Sequence, residues 1–408
     1  MKRILFLFVL SAQIGFAQCD NGRYQSFIFS DYEVISNIVY GNNQTYLGVS
    51  QDLTLDIYRP IGDASTSRAL IMMAHGGSFL TGSKTGPDVV GFCVSMAKMG
   101  YVVASINYRL GFPITNMQAG ATAAVMRGTQ DMKAAIRFFR KDVAENNNQY
   151  GIDPNEIYAA GVSAGGFIAL HLAYLDQESE LPSFLDMNAT GVQGGLDGQS
   201  GNPGYSSNVK AIVNICGAIG DTAWIQPGDE PACHFHGTND NTVPYGSAML
   251  SVLGIPVTDV DGSYSINEKM NQIGLEHCFE IHEGQDHVPS LANPAFADTT
   301  LSIMTQFLSA QICNTSYNCE YQTIATDVPS YGPDIAEISI FPNPSANGFY
   351  LTGMSQKEEV RIYNSTGMLI NTLIVQNGEW IGNENWPTGI YFVNFKNHLL
   401  SSLKVIKQ

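Results

Sequence analysis

The residues Gly161-Val162-Ser163-Ala164-Gly165 place a serine between two glycines, after one apolar run and before another. Glycines two positions on either side allow a strand to turn abruptly into a helix with the serine at the apex. The Ser163 hydroxyl would then project into a cleft beside the positive end of that helix. Because Gly and Ser are common in ordinary turns, this motif predicts a nucleophile only if a base, an acid and oxyanion donors accompany it.

Two polar loops further along the chain supply a base and an acid. Asp240 and His287 each lie on the loop that follows a short β-rich run. We therefore predict that Asp240 orients His287 and that His287 accepts the proton of Ser163, in the chain order Ser, Asp, His. Asp221 is an alternative acid. Asp286 is a weaker alternative, because it adjoins His287 and would not easily reach the far ring nitrogen.

The oxyanion donors are predicted in the loop of residues 75–79, His-Gly-Gly-Ser-Phe, which directly follows an apolar strand. A pair of glycines lets backbone N–H groups approach a substrate oxygen closely. We therefore assign the oxyanion donors to the backbone of Gly77 and Ser78, together with Ala164, the residue after the nucleophile. His75 is expected to bond locally and to shape this loop, and it is not the predicted base.

Four aromatic residues lie on loops that border the predicted cleft. They could form an apolar pocket for the acyl group of a substrate, with ordinary loop packing as the alternative; they are Phe79, Tyr108, Trp224 and Tyr245. His234 and His236 lie two positions apart on one strand, as metal ligands sometimes do. Without a third ligand at a recognisable spacing, we expect them to pack in the core or support the site, and we predict no metal or organic cofactor.

Short β-rich runs alternate with longer helical patterns between residues 53 and 283. This alternation, with runs nearly continuous in apolar residues, predicts an α/β fold with a mostly parallel central sheet flanked by helices. The apolar spacing of residues 130–144 predicts an amphipathic helix whose basic side chains face solvent: Lys133, Arg137, Arg140 and Lys141. Residues 181–208 lack either pattern, and this long loop either borders the active site or is a surface excursion.

The sequence pattern changes after residue 313. Residues 314–334 are predicted to be a linker, and the following short alternating strands without helical periodicity predict a small antiparallel β-sandwich at residues 335–408. The catalytic domain would then cover residues 18–313. A chain of 408 residues with 44% hydrophobic content is long enough for one large core and a second, smaller one.

The beginning of the chain predicts export. A positively charged start, the apolar run of residues 4–10 and the small-residue sequence of residues 15–17 are typical of a signal peptide, here cleaved after Ala17. A buried N-terminal strand is the alternative. Cys19 raises the possibility of lipid attachment, but Gln18 stands where a small residue normally precedes the acylated cysteine. Elsewhere, the sequence has no apolar run of the roughly 18 residues that a membrane span needs.

Charge and cysteine content restrict the partners and the covalent structure. The formal charge of −17, from 37 Asp and Glu against 20 Lys and Arg, argues against nucleic acid or an anionic membrane as a partner.

The mature chain would keep seven cysteines, so at least one thiol is free or pairs between chains. Cys313 and Cys319 are candidates for a short-loop disulfide. Cys216 and Cys233 lie in apolar runs, where a buried thiol is an equally good interpretation.

Taken together, the motifs resemble secreted α/β-hydrolases of the carboxylesterase and feruloyl-esterase-like group, over about residues 32–312. The resemblance rests on His75-Gly-Gly-Ser-Phe, Asn107-Tyr-Arg-Leu-Gly, Gly161-Val-Ser-Ala-Gly, His236-Gly-Thr-Asn-Asp and His287. It implies a secreted serine carboxylic-ester hydrolase that forms an acyl-enzyme and acts on a small or polymer-linked ester. Ser78 departs from the family, since many relatives have a third glycine there. The acid-position glutamate of type-B carboxylesterases is absent, so the resemblance is to members with Ser, Asp and His.

Two other functions are compatible with the same residues. A serine peptidase of the prolyl-oligopeptidase type shares this kind of site, but it generally carries a large propeller domain for which this chain is too short. A catalytically silent binding protein could also retain the hydrolase fold. We therefore expect an ester hydrolase and keep these two functions as alternatives.

The end of the chain resembles a second family, the type A C-terminal sorting domain of the type IX secretion system. The resemblance rests on Phe341-Pro-Asn-Pro, Val360-Arg-Ile-Tyr-Asn-Ser-Thr-Gly, Trp386-Pro-Thr-Gly-Ile-Tyr-Phe and Lys404-Val-Ile-Lys. It implies recognition by the type IX secretion machinery and a secreted or cell-surface location. A carbohydrate-binding module is the alternative, because Trp380, Trp386 and Tyr391 could stack on sugars.

Overall fold

The computed structural model of the protein describes residues 19–324, 338–354, 357–364, 368–395 and 398–408. The predicted signal peptide, residues 1–17, lies outside these ranges. So does the part of the predicted linker that follows residue 324, together with the first three residues of the predicted β-sandwich. Among the helices that are described, none is both long and apolar enough to cross a membrane.

Strands and helices alternate along residues 19–324. The strands are β1 (Tyr32–Gln44), β2 (Ser50–Pro60), β3 (Arg68–Ala74), β4 (Val102–Ile106), β5 (Ile152–Val162), β6 (Ile212–Ile215), β7 (Ala218–Ile219), β8 (Ala232–Gly237), β9 (Ser247–Val252), β10 (Ile255–Gly262) and β11 (His277–His282). The helices are α1 (Pro87–Lys98), α2 (Met117–Glu145), α3 (Ala164–Tyr174), α4 (Ser263–Ile273), α5 (Pro289–Ala292) and α6 (Pro294–Cys313).

Eight of these strands form one sheet in the order β1-β2-β4-β3-β5-β6-β8-β11. β2 pairs antiparallel with its two neighbours, β1 and β4. All other neighbouring strands pair in parallel: β4 with β3, β3 with β5, β5 with β6, β6 with β8, and β8 with β11. The predicted α/β fold with a mostly parallel central sheet is confirmed. Because parallel strands end at the same edge of a sheet, the loops that follow β3, β5, β8 and β11 meet there.

The central sheet carries an apolar core on each face. Every residue of β3 is buried, and its side chains alternate: Leu70 and Met72 join one core, whereas Ala69 and Ile71 join the other. Helices α2 and α3 pack on the first face, and α1 and α6 pack on the second. Burial on both faces explains why the strand sequences are nearly continuous in apolar residues.

The helix predicted at residues 130–144 is the second half of α2, which has 29 residues. The prediction that its basic side chains face solvent is wrong for Lys133 and Arg137, which are only 8% and 4% exposed. The reason is the long loop of residues 181–208, which packs against them. Arg137 donates hydrogen bonds to the carbonyl groups of Asp197 and Gly201 in that loop, both at 3.1 Å.

The same loop is held by a buried ion pair. Arg109 has no exposed surface and lies 2.8 Å from the equally buried Asp131. It also donates to the carbonyl of Gly191 and to the hydroxyl of Ser200, both in the loop of residues 181–208. A buried charge is stable only when other groups compensate it by ion pairing and hydrogen bonding. The loop supplies acceptors for the Arg109 guanidinium, and these hydrogen bonds in turn fix the position of the loop.

A hairpin of β9 and β10, which was not predicted, is inserted between β8 and α4. It pairs with β7 in a separate antiparallel sheet. Its two-residue turn, Leu253-Gly254, has positive φ angles of 54° and 76°, as tight hairpin turns favour. Val257 and Val260 are buried on the inner side of the hairpin. The hairpin therefore covers one side of the first core near the ends of the parallel strands.

Two disulfides tie the beginning and the end of residues 19–324 to α6 and β11. They join Cys19 to Cys313 and Cys278 to Cys319. The predicted pair of Cys313 with Cys319 is wrong, because the chain after α6 continues to β11 and brings Cys319 against Cys278. The Cys19 sulfur is already bonded, which leaves no thiol there for lipid attachment. The remaining cysteines are buried free thiols, as proposed for Cys216 and Cys233.

Residues from 338 onward form only strands in the part that is described. These are β12 (Ser339–Phe341), β13 (Gly348–Thr352), β14 (Glu358–Asn364), β15 (Leu369–Val375), β16 (Trp380–Gly382), β17 (Gly389–Phe395) and β18 (His398–Lys407). They make two antiparallel sheets, β12-β13-β16 and β15-β14-β17-β18, around a separate apolar core. The predicted all-β C-terminal part is confirmed, whereas the exact domain boundaries remain a prediction.

Candidate active site

Ser163 occupies a sharp turn between β5 and α3. Its backbone has φ 54° and ψ −115°, a left-handed conformation that non-glycine residues rarely adopt. A Cβ atom on Gly161 would collide with the carbonyl oxygen of Gly165, and one on Gly165 would collide with that of Ala74. The two glycines are therefore required by the close approach of strand and helix, as the motif predicts.

His287 connects the predicted nucleophile and acid. Its Nε2 lies 2.8 Å from the Ser163 hydroxyl, and its Nδ1 lies 2.6 Å from a carboxylate oxygen of Asp240. With Nδ1 donating to the carboxylate, Nε2 is free to accept the serine proton. The histidine side chain is 19% exposed, whereas the Asp240 side chain has no exposed surface. β8 and β11 are parallel neighbours, which is why their loops bring these residues together.

Asp240 is held by four donors. One carboxylate oxygen accepts hydrogen bonds from the backbone N–H groups of Thr242 and Val243, both at 2.8 Å. The other accepts from His287 and lies 3.2 Å from Nε2 of His236. Burial raises the pKa of Asp240, but the hydrogen bonds from His236 and His287 outweigh it and hold that pKa well below its usual range. The carboxylate is therefore ionised throughout the neutral pH range.

The contact of His236 with Asp240 leads to a prediction about positioning. We expect His236→Ala to lower kcat for ester hydrolysis about ten- to a hundredfold with little change in KM, because one hydrogen bond to a buried charge is lost. His236→Gln keeps an N–H donor at a similar reach and should recover part of the loss. Rates are divided by the fraction of sites that a fluorophosphonate titrates, so misfolding alone would not produce the effect. Equal rates for the alanine variant and the wild type would rule out this role.

The two alternative acids lie elsewhere in the site region. Asp221 accepts a hydrogen bond from the N–H of Ala223 at 2.8 Å and caps the short helical turn that follows it. Asp286 accepts from the backbone N–H groups of Asn241 and His287 and so joins two loops. The described contacts of these two carboxylates do not include the His287 ring.

The predicted oxyanion loop runs against the nucleophile. A Cβ atom on Gly76 would lie 3.3 Å from the Cβ of Ser163, so the backbone passes directly beside the serine. Gly77 has φ 110° and Ser78 has φ 54°, a sharp turn that depends on the conformational freedom of glycine. Ala164 is the first residue of α3, where backbone N–H groups have no partner inside the helix. The segment that carries the Gly77 and Ser78 N–H groups and the first turn of α3 therefore both adjoin Ser163.

His75 shapes this loop, as we expect from the sequence. Its Nδ1 lies 2.6 Å from the carbonyl oxygen of Gly76, and its ring stacks on Tyr108 at 4.4 Å. Burial lowers the pKa of His75, which keeps the ring neutral. The loop is further anchored by Asp88, whose carboxylate accepts the Gly76 N–H at 2.7 Å.

A cavity of about 130 Å³ opens beside Ser163. Of the four predicted pocket residues, Phe79 and Trp224 line it. Tyr108 and Tyr245 do not line it and pack elsewhere, as the alternative of ordinary loop packing allows. Tyr108 is buried behind the oxyanion loop, where its hydroxyl donates to the carbonyl of His75 at 2.9 Å. Tyr245 packs instead against the ring of His236, with the two ring centroids 5.7 Å apart.

Most of the cavity wall was not predicted. Sequence patterns missed the apolar contributions of the segment before α2, of α2 itself and of the β9–β10 hairpin: Phe112, Val125, Met126, Leu250, Val257 and Val260. Phe184 also lines the cavity, so the loop of residues 181–208 borders it, which is one of the two interpretations given for this loop. The turn Leu253-Gly254 between two short apolar runs is the signal that could have revealed the hairpin. His171 also lines the cavity, and burial lowers its pKa to about 4, so its ring is neutral. The wall is therefore mainly apolar and aromatic.

Comparison with known proteins agrees with this geometry. Residues 55–221 match the BD-FAE family, and residues 339–408 match the secretion system C-terminal sorting domain. The chain therefore contains an esterase-type α/β-hydrolase domain and a sorting domain. The hydrolase match includes the oxyanion loop and Ser163, and it ends before Asp240 and His287. The sorting domain implies export to the medium or the cell surface by the type IX system.

Relatives of the esterase-type domain are carboxylesterases. Carboxylesterase 3B of Mus musculus is 34% identical over 147 residues, which are 35% of this chain and 24% of the relative. Esterase-5A of Drosophila persimilis is 29% identical over 144 residues, which are 35% of this chain and 24% of the relative. The chain thus spans about a quarter of the length of these relatives.

The fold of the esterase-type domain is also found in a solved carbohydrate esterase. This structure, a truncated form of a carbohydrate esterase from gut microbiota, covers 70% of this chain and 99% of its own. Its TM-score is 0.50 and its sequence identity is 21%. At this identity the similarity concerns the fold.

Proposed function

We propose that the protein is an exported carboxylic-ester hydrolase that uses Ser163, His287 and Asp240 as a catalytic triad. The observation that carries the proposal is the position of His287, 2.8 Å from the serine hydroxyl and 2.6 Å from a buried carboxylate. This arrangement provides a nucleophile, a base and an orienting acid within hydrogen-bond reach. The match of residues 55–221 to an esterase family and the carboxylesterase relatives support the ester as substrate class.

In the first half of the proposed reaction, the Ser163 oxygen attacks the ester carbonyl while Nε2 of His287 takes its proton. The ionised Asp240 stabilises the imidazolium that forms. Negative charge develops on the carbonyl oxygen, and the proposed donors to it are the N–H groups of Gly77, Ser78 and Ala164. The alcohol then leaves with the proton from His287, and the acyl group stays on the serine.

In the second half, water replaces the alcohol. His287 takes a proton from the water as it attacks the acyl-enzyme, the same N–H groups stabilise the second oxyanion, and Ser163 leaves with the proton. The cavity beside Ser163 is the proposed site of the substrate's apolar group, with Phe79 and Trp224 in its wall. A small ester and an ester linked to a polymer remain the two substrate classes.

We propose that the chain is organised as a signal peptide at residues 1–17, a catalytic domain at 18–313, a linker at 314–334 and a sorting domain at 335–408. The match of residues 339–408 to the sorting domain supports the type IX secretion machinery as a partner. It also favours export over the carbohydrate-binding alternative for this part of the chain. After export, the hydrolase part would act on an ester outside the cell.

The proposed function is tested by labelling and by a substrate panel. We expect a fluorophosphonate probe to react with the wild-type protein at Ser163, and p-nitrophenyl and aryl esters to be cleaved much faster than peptide amides. Faster cleavage of proline-containing peptides would favour the serine peptidase alternative. Absence of both labelling and turnover in the folded protein would favour a catalytically silent binding protein.

A further inference from the structure

A cysteine side chain lies beside the acid and the base. Cys216 follows β6, is fully buried and has a free thiol. Its Sγ, a carboxylate oxygen of Asp240 and a ring nitrogen of His287 all lie within 4.8 Å of one another. Burial raises the pKa of the Cys216 thiol to about 12, and the proposed hydrolysis gives this thiol no role.

Sulfur, imidazole nitrogen and carboxylate oxygen are the three ligand types that Zn²⁺ prefers. In a tetrahedral zinc site, bonds of about 2.0–2.3 Å place neighbouring ligand atoms roughly 3.5 Å apart. The three atoms are already within 4.8 Å, so side-chain shifts of about 1 Å would bring them to this geometry. Within the described residues, this is the group of histidine, cysteine and acidic side chains that converges closely enough to hold a cation.

We propose that Cys216, Asp240 and His287 form an inhibitory binding site for a borderline-soft divalent cation such as Zn²⁺. Binding exchanges one proton for the cation: the Cys216 thiol proton passes to solvent, and the resulting thiolate coordinates the metal together with the ionised Asp240 carboxylate. The His287 ring stays neutral and coordinates through the ring nitrogen that carries no proton. A fourth coordination position is left for water. The side chain of His287 is 19% exposed, which gives the cation access from solvent.

Inhibition follows from the atoms that the cation would occupy, and it rests on the proposed function of the triad. A coordinated His287 can no longer donate to Asp240 and accept the proton of Ser163 in the required orientation. The other donors to Asp240, namely the backbone of Thr242 and Val243 and the ring of His236, need not move. The site could therefore form without loss of the fold.

Binding is tested independently of activity with Co²⁺ as a spectroscopic substitute for Zn²⁺. We expect Co²⁺ to give a thiolate charge-transfer absorption with the wild-type protein and with Ser163→Ala, which is intended to abolish turnover but keeps all three ligands. Cys216→Ala should lose this absorption. Cys233→Ala, which removes a buried free thiol from the neighbouring strand β8, is the matched control and should keep it. An unchanged absorption in Cys216→Ala would overturn the proposal, as would its absence in the wild type.

Inhibition is tested by titrating Zn²⁺ into hydrolysis of a p-nitrophenyl ester. We expect the wild type and Cys233→Ala to be inhibited, with activity restored by a chelator. Cys216→Ala, measured against its own metal-free rate, should need at least about tenfold more Zn²⁺ for half inhibition, because one of three ligands is missing. Cys216→Ser, which keeps the size of the side chain, is a second variant in case the alanine protein does not fold. Equal sensitivity of the wild type and a folded Cys216 variant would overturn the proposal.

These two measurements separate the metal site from the proposed function. If the wild type binds Co²⁺ through Cys216 but cleaves none of the esters, the triad assignment fails while the binding site stands. If the protein cleaves esters but neither test depends on Cys216, the proposed function stands and the cation site fails.

Discussion

Replacement of Ser163 by alanine should lower kcat for a p-nitrophenyl ester by about a million-fold. The reason is that the acyl group has no attachment point without the Ser163 oxygen. The proton transfer to His287 and the hydrogen bond to Asp240 then have no reaction to support, so the loss equals that of the whole triad. The residual rate should come from oxyanion stabilisation and substrate binding alone. The rate of p-nitrophenol release, measured on protein of verified purity, checks the prediction.

A matched control for this change is available in helix α1. Ser95 is buried like Ser163, and its hydroxyl lacks a hydrogen-bond partner among the described residues. Ser95→Ala is therefore the same chemical change at a buried site outside the cavity, and it should keep most of the activity and all fluorophosphonate labelling. Near-wild-type turnover by Ser163→Ala would disprove the nucleophile assignment.

Replacement of Asp240 by asparagine should lower kcat by about ten-thousand-fold at neutral pH. An asparagine fits the same space, but its amide presents N–H groups where the carboxylate accepted the proton on Nδ1 of His287. The ring then favours the other tautomer, in which Nε2 carries the proton and cannot take one from Ser163. Labelling by a fluorophosphonate should slow in parallel, because it depends on the same activated hydroxyl.

The alternative acids provide the controls for this prediction. Asp221→Asn should leave kcat close to the wild-type value, because the Asp221 carboxylate caps a helical turn and an asparagine can accept the same hydrogen bond. Asp286→Asn should likewise keep most of the activity, since its carboxylate binds backbone N–H groups. A loss larger for Asp221→Asn than for Asp240→Asn would transfer the role of the acid to Asp221.

Local sequence patterns were sufficient for features that depend on neighbouring residues. Alternating strand and helix patterns predict the mostly parallel sheet, because strands buried on both faces must be apolar at nearly every position. The glycines beside Ser163 predict the turn, because strand and helix approach there too closely for a side chain. The residues predicted as nucleophile, acid and base, Ser163, Asp240 and His287, are in contact in the folded chain, and their catalytic roles are a proposal.

Other features depend on residues that are distant in sequence, and the patterns were wrong or silent about them. Lys133 and Arg137 carry charges on a regular helix, and only the packing of the loop of residues 181–208 shows that they are covered. Cys313 has Cys319 as a neighbour in sequence but bonds to Cys19, 294 positions away. Tyr108 lies two residues after the end of β4, yet its hydroxyl donates to the carbonyl of His75 and its ring does not line the cavity.

The sequence by itself determined the kind of site and the order of its parts, because the geometry of a strand-to-helix turn and the ends of parallel strands are encoded locally. Only the tertiary structure decided how the site is enclosed. The β9–β10 hairpin and α2 form the cavity wall, His236 reaches Asp240, and Cys216 lies beside the acid and the base. These contacts arise from the packing of elements that are far apart in the chain, and a local pattern of residues carries no information about which distant surface it will meet.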